Sequence, residues 1–172
     1  MPKIALIVID VQNCFTNDST SHLAERIKKH IEKNRKGYDE IVFTIFRNEP
    51  GSNFARNGYS IGMGESERMI PEPLDETAKR YPVFTKSTFS AFKAPGLMEY
   101  LKNSGIREVR LCGTDTEACV SASAYEAFDL GFDVKILAGL CASCNGKKFH
   151  EHGLQILQKS LGFNNGKKAE RC

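Results

Sequence analysis

Three reactive side chains, Asp10, Lys86 and Cys119, each lie at or just after the end of a segment that is predicted to be a strand. The thiol of Cys119 is a potential nucleophile toward a carbonyl carbon. The ammonium of Lys86 could stabilise a thiolate, and the carboxylate of Asp10 could accept the thiol proton and deliver it to a leaving group. The structural alternative is a buried ion pair between Asp10 and Lys86 beside an inert thiol.

Cys119 belongs to a segment, LCGTDTEACVSASAYEAF, whose pattern predicts a strand, a turn and then a helix over residues 118–130. The thiol would therefore lie near a helix N-terminus, where backbone amides and the helix dipole stabilise a thiolate. With the positive charge of Lys86 added, we expect this thiol to ionise near neutral pH. Free N–H groups around the turn could then bind the oxyanion that forms during attack on a carbonyl.

These side chains need a scaffold that brings strand ends together. Segments rich in β-branched residues alternate with amphipathic segments along the chain. The predicted strands are 3–11, 41–46, 83–86, 109–112 and 133–137, and the predicted helices are 21–36, 95–104, 118–130 and 147–161. This alternation predicts an α/β fold, a doubly wound and mostly parallel sheet of about six strands with helices on both faces. Ligands bind beyond the carboxyl ends of the strands in such a sheet.

One stretch, residues 47–81, has little sustained periodicity and contains several prolines and glycines. Loops of this length are usually functional or disordered. Because this stretch joins two strands of the predicted sheet, we expect it to fold over the strand ends as part of a substrate pocket. The alternative is that residues 47–81 form a mobile loop with no part in a pocket. Arg47 and Asn48 begin the stretch and could hold a substrate carboxylate or carbonyl group, or could simply start a solvated loop.

The composition is that of an ordinary globular protein and excludes several classes of function. The chain has 172 residues, 41% of them hydrophobic and 26% charged, which predicts one domain over residues 1–172. Its net charge of +3 is too small to indicate a nucleic-acid partner. No apolar run approaches the ~18 residues of a membrane span. We therefore expect a small-molecule substrate, with neither nucleic acid nor a membrane as partner.

The six cysteines are the least ordinary feature of the composition. The apolar start of the chain ends at Asp10, before it reaches the length of an export signal, so we expect a cytoplasmic protein with reduced thiols. The Cys141-x-x-Cys144 pair could be structural or redox-active, but no second pair with suitable spacing completes a zinc site. Cys172 belongs to a polar tail, 167–172, that we expect to be frayed. A catalytically idle or redox-responsive binding protein therefore stays a second hypothesis.

The sequence resembles the isochorismatase-like cysteine hydrolases over nearly its whole length. The matching segments are ALIVIDVQNCF, VFTKSTFSAF, GTDTEACV followed by AYEAFDLGFDVKIL, and GLCAS. The resemblance implies that Asp10 is the catalytic acid and base, that Lys86 is the catalytic lysine and that Cys119 is the nucleophile.

The same resemblance implies a cis peptide bond between Thr114 and Asp115, in the turn before the nucleophile. It implies further that the backbone amides of Asp115 and Cys119 form the oxyanion hole. Phe15 matches a position that lines the substrate pocket in relatives, although packing in the core is an alternative for this side chain.

The resemblance also limits the reaction. Members of this family cleave nicotinamide, carbamoyl and ureido amides, biuret or, in isochorismatases, an enol ether. Isochorismatases generally lack the cysteine, so Cys119 favours hydrolysis of a C–N bond in a small amide, imide or ureido compound through a thioester, with enol-ether cleavage as the alternative. Nicotinamidases usually add a metal site, an Asp and two His in the loop after the second strand, where this chain has FRNEPGSNF. We therefore expect no metal of that type and no cofactor, and, as in relatives, a homodimer or homotetramer.

Overall fold

The fold is built on one sheet of parallel strands. The computed structural model describes residues 2–162, so the predicted tail 167–172 with Cys172 lies outside the described residues. The strands are β1 (Lys3–Ile9), β2 (Glu40–Phe46), β3 (Val83–Lys86), β4 (Ile106–Gly113) and β5 (Asp133–Cys141), in the order β3-β2-β1-β4-β5. Every neighbouring pair is parallel. The predicted α/β class is confirmed, with five strands in the described sheet where about six were expected.

The central strand β1 explains why the sheet forms around this part of the chain. Its sequence, KIALIVI, is a nearly continuous apolar run, and residues 5–9 are completely buried. A strand that is covered by helices on both faces needs such a run. β2 and β4 pair with β1 on its two sides. A polar side chain placed directly after β1 is therefore held near the middle of the sheet.

Helices cover both faces of the sheet. They are α1 (Leu23–Asn34), α2 (Asn53–Arg56), α3 (Glu65–Arg68), α4 (Asp75–Ala78), α5 (Leu97–Asn103), α6 (Ser121–Asp129) and α7 (Lys147–Leu161). Helix α1 buries Leu23, Ile27 and Ile31, the four-residue spacing on which its prediction rests. Among residues 2–162 no helix is long and apolar enough to cross a membrane.

Several elements differ in extent from the sequence prediction: β1 ends at Ile9 rather than at residue 11, and β4 covers Ile106–Gly113 rather than 109–112. Two further differences bear on the site. β5 continues to Cys141 instead of ending at 137, because a register irregularity lets Gly113 of β4 pair with Cys141. The helix expected from residue 118 begins instead with a wide π-helical turn, Thr116–Val120, and α6 follows it. Turns of this type occur frequently at functional sites. The stretch 47–81 contains the short helices α2, α3 and α4.

The strand order reverses beside β1. The chain runs from β1 outward to β2 and β3, and then returns to place β4 on the other side of β1. In an open α/β sheet, the crevice at this reversal, beyond the carboxyl ends of the strands, is where ligands bind. Asp10 directly follows β1, and Cys119 follows β4 after a short turn. The fold therefore places both side chains at this crevice.

Gly113, the last residue of β4, brings that turn against β1. Its φ angle is +122°, and a Cβ atom on this residue would lie 2.0 Å from the carbonyl oxygen of Ile9. The next residue, Thr114, donates its backbone N–H to the same oxygen at 2.9 Å. Only glycine permits so close an approach.

We predict that Gly113→Ala lowers the free energy of unfolding by at least about 3 kcal/mol, because the added methyl group overlaps the β1 backbone. Gly37→Ala is the matched control, since nothing lies within 4 Å of the Cβ position there and its φ angle is not in the left-handed region. Urea denaturation followed by circular dichroism measures both variants. Equal stabilities would contradict the close approach of the turn to β1.

Candidate active site

A buried ion pair between Asp10 and Lys86 lies at the carboxyl ends of the strands. The Asp10 Oδ2 and Lys86 Nζ atoms are 2.5 Å apart, and neither side chain is exposed. β2 separates β1 from β3, so the long lysine side chain reaches across the end of one strand. The Lys86 Nζ atom lies 5.4 Å from the ring centroid of Phe46, the last residue of β2. The apolar strand ends and the lysine stem thus enclose the two charges.

Asp10 itself is held in an uncommon backbone conformation. Its φ angle is +51°, which few residues other than glycine adopt. Its backbone N–H donates to the Thr44 carbonyl at 3.1 Å, and its Oδ1 atom accepts from the Thr44 hydroxyl at 2.8 Å. A residue in this region persists only when its surroundings fix it, and such residues cluster at functional sites. Oδ1 is therefore held by Thr44 while Oδ2 faces Lys86.

The Lys86 ammonium has a partner for each of its protons. It pairs with Asp10, donates to the Thr88 carbonyl oxygen at 2.7 Å and contacts the Cys119 Sγ atom at 3.5 Å. Burial acts to lower the Lys86 pKa, but the Asp10 carboxylate and Cys119 outweigh it, so the pKa is raised above its ordinary value. Lys86 thus stays charged at neutral pH and acts as a fixed cation.

The Cys119 thiol lies in the π-helical turn and is only 8% exposed. Burial raises its pKa well above the ordinary value, the Asp10 carboxylate raises it further, and Lys86 only partly opposes them. Our expectation of ionisation near neutral pH is therefore not met. The physical reason is that Asp10 and Lys86 already neutralise each other, so a thiolate would add an uncompensated buried charge. Burial and the neighbouring Asp10 carboxylate thus favour the protonated thiol.

The turn between β4 and Cys119 is fixed from both sides. The peptide bond between Thr114 and Asp115 is cis, and the Thr114 hydroxyl donates to the Asp10 carbonyl oxygen at 2.7 Å. On the other side, the Thr116 N–H donates to the Ala142 carbonyl at 3.1 Å. Ala142, directly after β5, thus holds the turn that carries Cys119.

A cavity of about 170 Å³ ends on Cys119. Most of its wall is aromatic or aliphatic, and the remainder comes from the turn and from the loop after β5. The lining residues are Phe15, Phe46, Phe54, Tyr59, Ile61, Phe89, Asp115, Ala118, Cys119, Cys144 and Asn145. None of these lining residues is a Lys, an Arg or a His. The pocket therefore suits a small, largely apolar molecule and offers an anion no cationic partner in its wall.

The sequence anticipates only part of this wall. Phe15 lines the pocket and packs against Phe46, with ring centroids 6.1 Å apart. Phe54 touches Phe46 and Phe89 edge to face, with centroids 4.8 Å apart in each pair. Phe54 comes from the stretch 47–81, where sequence reasoning named no aromatic residue. The signal available was the aromatic content of that stretch and of the segment after β3.

Arg47 and Asn48 do not reach the pocket. The Arg47 side chain is half exposed and pairs with Glu49 at 2.8 Å. Asn48 is buried, donates to the Tyr59 carbonyl at 2.9 Å and accepts from the Ser52 hydroxyl at 2.6 Å. Asn48 therefore organises the loop that carries Tyr59 into the pocket wall, and Arg47 lies at the solvated start of that loop.

The residues present do not fit a metal site of the nicotinamidase type. In the loop after β2 the acidic side chain is Glu49, which already pairs with Arg47. Residues 2–162 contain no group of three or more His, Cys, Asp or Glu that could hold a metal ion. The Cys141 Sγ atom faces the Leu137 carbonyl, whereas Cys144 faces a different partner, so the two thiols do not form one site.

Comparison with known proteins shows the family of this chain. The isochorismatase domain model matches residues 4–163. The chain belongs to the isochorismatase family. It is 30% identical over 166 residues to Nicotinamidase 3 of Arabidopsis thaliana, a match that covers 92% of this chain and 81% of the relative.

Solved structures of two amidases share the fold. The pyrazinamidase/nicotinamidase of Streptococcus mutans UA159 superposes with a TM-score of 0.81 at 26% identity, covering 93% of this chain and 98% of its own. The N-carbamoylsarcosine amidase of Thermoplasma acidophilum superposes with a TM-score of 0.79 at 21% identity, with 93% of each chain covered. The second likeness shows the fold alone. The chain is an isochorismatase-family hydrolase.

The charge arrangement makes a prediction for Asp10→Asn. This change removes the carboxylate that raises the Cys119 pKa and leaves Lys86, which lowers it, so we predict about tenfold faster alkylation of Cys119 by iodoacetamide at pH 7. Peptide mass spectrometry follows the labelling. Cys144 in the same sample is the internal control, because Asp10 is not among the groups that shift its pKa. Slower labelling of Cys119 in the variant would contradict the arrangement.

Proposed function

We propose that this protein is a cysteine amidohydrolase, which cleaves the C–N bond of a small, uncharged amide, imide or ureido compound through a thioester on Cys119. The observation that carries the proposal is the contact of the Cys119 thiol with the buried Asp10–Lys86 pair at the closed end of an apolar pocket. A nucleophile, a proton acceptor and a fixed cation thus lie where a carbonyl carbon would be placed.

Acylation uses Asp10 as the base. As Cys119 Sγ bonds to the substrate carbonyl carbon, its proton passes to Asp10. The carbonyl oxygen becomes an oxyanion, for which we propose the backbone amides of Asp115 and Cys119 as donors. Asp10 then gives its proton to the substrate nitrogen, the C–N bond breaks, and ammonia or an amine leaves the thioester behind.

Deacylation reverses the proton path. Asp10 takes a proton from a water molecule as the water oxygen bonds to the thioester carbon. The C–S bond then breaks, the acid product leaves, and the proton on Asp10 returns to the Cys119 sulfur. Lys86 keeps its charge in both half-reactions and stabilises the sulfur while it is negative.

The pocket wall supports an uncharged substrate. An anion would lose its hydration among seven apolar or aromatic side chains without meeting a cationic partner in the wall, and Asp115 would repel it. Lys86 cannot be the cationic partner of an anionic substrate, because its three ammonium protons already have partners. This argues against the enol-ether alternative, since isochorismate carries carboxylates. The aromatic walls favour a planar ring attached to the amide.

The test of the nucleophile is Cys119→Ala. We predict that this variant loses at least about 10³-fold in ammonia release from whichever of benzamide, nicotinamide and phenylurea the wild type cleaves fastest. Cys141→Ala, which removes another buried thiol, is the matched control and keeps its activity per folded molecule. Unchanged turnover in Cys119→Ala would rule out the thioester route.

The test of the pocket charge is a matched pair of amides. We predict that benzamide has a kcat/KM at least about tenfold above that of 4-carbamoylbenzoate, because the second compound must bury a carboxylate in the apolar wall. Both compounds carry the same primary amide on the same ring. A preference for the anion, or turnover of isochorismate, would contradict the assignment of an uncharged substrate.

A further inference from the structure

Cys144 makes a two-point contact with Asp115. Its backbone N–H donates to Asp115 Oδ1 at 2.7 Å, and its thiol donates to Asp115 Oδ2 at 2.9 Å. Asp115 is 8% exposed and Cys144 is half-buried, and both residues line the pocket beside Cys119. The triad chemistry uses neither of these side chains. Burial of a carboxyl group costs free energy, which the two hydrogen bonds from Cys144 offset, and this suggests a role for its position.

Asp115 lies at a sensitive point of the site. It follows the cis peptide bond and precedes the π-helical turn, and its carbonyl oxygen accepts from the N–H groups of Ala118 and Val120. The Asp115 carbonyl therefore holds the two residues that flank Cys119. Because the side chain is anchored to Cys144, movement of the carboxyl group would move this backbone.

The hydrogen bonds from Cys144 also stabilise the negative charge of the Asp115 carboxylate. Burial raises the Asp115 pKa, the two hydrogen bonds from Cys144 act to lower it, and Glu117 and Asp10 raise it further. A carboxylate in the pocket wall opposes an oxyanion forming nearby. Two donors directed at its oxygens spread that negative charge and fix its distance from the reacting carbonyl.

The Cys144 thiol is suited to this role. Burial and the neighbouring Asp115 raise its pKa to about 12, so it keeps its proton and remains a donor at neutral pH. Further bonds hold the same loop in place: Ser143 and Asn145 each donate to Glu117 Oε1, at 2.7 Å and 2.9 Å. The loop therefore stays docked on the turn when the thiol alone is removed.

We propose that Cys144 is a positioning residue for the hydrolysis. Its thiol holds the Asp115 carboxyl group, so that the backbone amides of Asp115 and Cys119 stay in place to donate to the oxyanion. This inference rests on the proposed function, because it needs attack by Cys119 on a carbonyl group. It assigns a role to the second cysteine of the Cys141-x-x-Cys144 pair that is neither metal binding nor redox chemistry.

The experiment compares Cys144→Ala with Cys144→Ser. Alanine removes the side-chain donor but keeps the backbone N–H, whereas serine restores a donor. With benzamide, Cys144→Ala lowers kcat about tenfold and leaves KM within about twofold, because the lost interaction matters only once the oxyanion forms. Cys144→Ser recovers kcat to within about threefold of the wild type. Cys141→Ala, from the same sequence motif, is the control.

A second measurement does not depend on turnover. Benzaldehyde forms a hemithioacetal when the Cys119 sulfur bonds to the aldehyde carbon and the thiol proton passes to the aldehyde oxygen, which then lies where the oxyanion would form. Its dissociation constant rises about tenfold in Cys144→Ala and recovers in Cys144→Ser. Urea denaturation of each variant shows whether the fold is retained.

The outcomes separate the two proposals. Wild-type kinetics and benzaldehyde affinity in Cys144→Ala would overturn the role of Cys144, and so would a serine variant as impaired as the alanine variant. A change confined to KM would show simple contact with the substrate and would also overturn it. Full activity in Cys119→Ala, or no benzaldehyde adduct on Cys119 of the wild type, would instead overturn the proposed function.

Discussion

The buried ion pair between Asp10 and Lys86 is the interaction on which the site depends. Both charges have left water completely, a cost that is offset only by their mutual attraction and by the surrounding hydrogen bonds. The pair can form because the strand order places β1 two strands from β3, within reach of a lysine side chain. Removal of either partner would leave an uncompensated buried charge, so the fold and the chemistry share this constraint.

The ion pair also determines where the mobile proton resides. The pKa values of Lys86 and Cys119 are both raised, which favours the protonated form of each. In the proposed reaction, Asp10 is therefore the group that accepts and returns a proton. The mostly aromatic pocket fits this proposal, because an anionic substrate would add negative charge beside Asp115 without a cationic partner in the wall. The loop after β5 adds the last restraint by holding Asp115 in place through Cys144.

The sequence predicts the fold and the three central side chains better than the pocket. The positions of the strands, although not all of their ends, follow from apolar runs such as KIALIVI. Asp10, Lys86 and Cys119 follow from the rule that strand ends carry the chemistry. The Cys119 pKa is not predictable from the sequence, because it depends on burial and on two charges that meet only in the fold. The aromatic wall from residues 47–81 also depends on tertiary packing, since that stretch has no periodicity to align it.

The central claim is that hydrolysis passes through a covalent bond to one sulfur. Acid quenching of the protein within its first turnovers of benzamide, followed by intact and peptide mass spectrometry, tests this claim most directly. We predict a benzoyl group on the peptide that contains Cys119, and its release by hydroxylamine, as a thioester requires. Steady ammonia release with no acyl group on the protein, or an acyl group on a different residue, would contradict it.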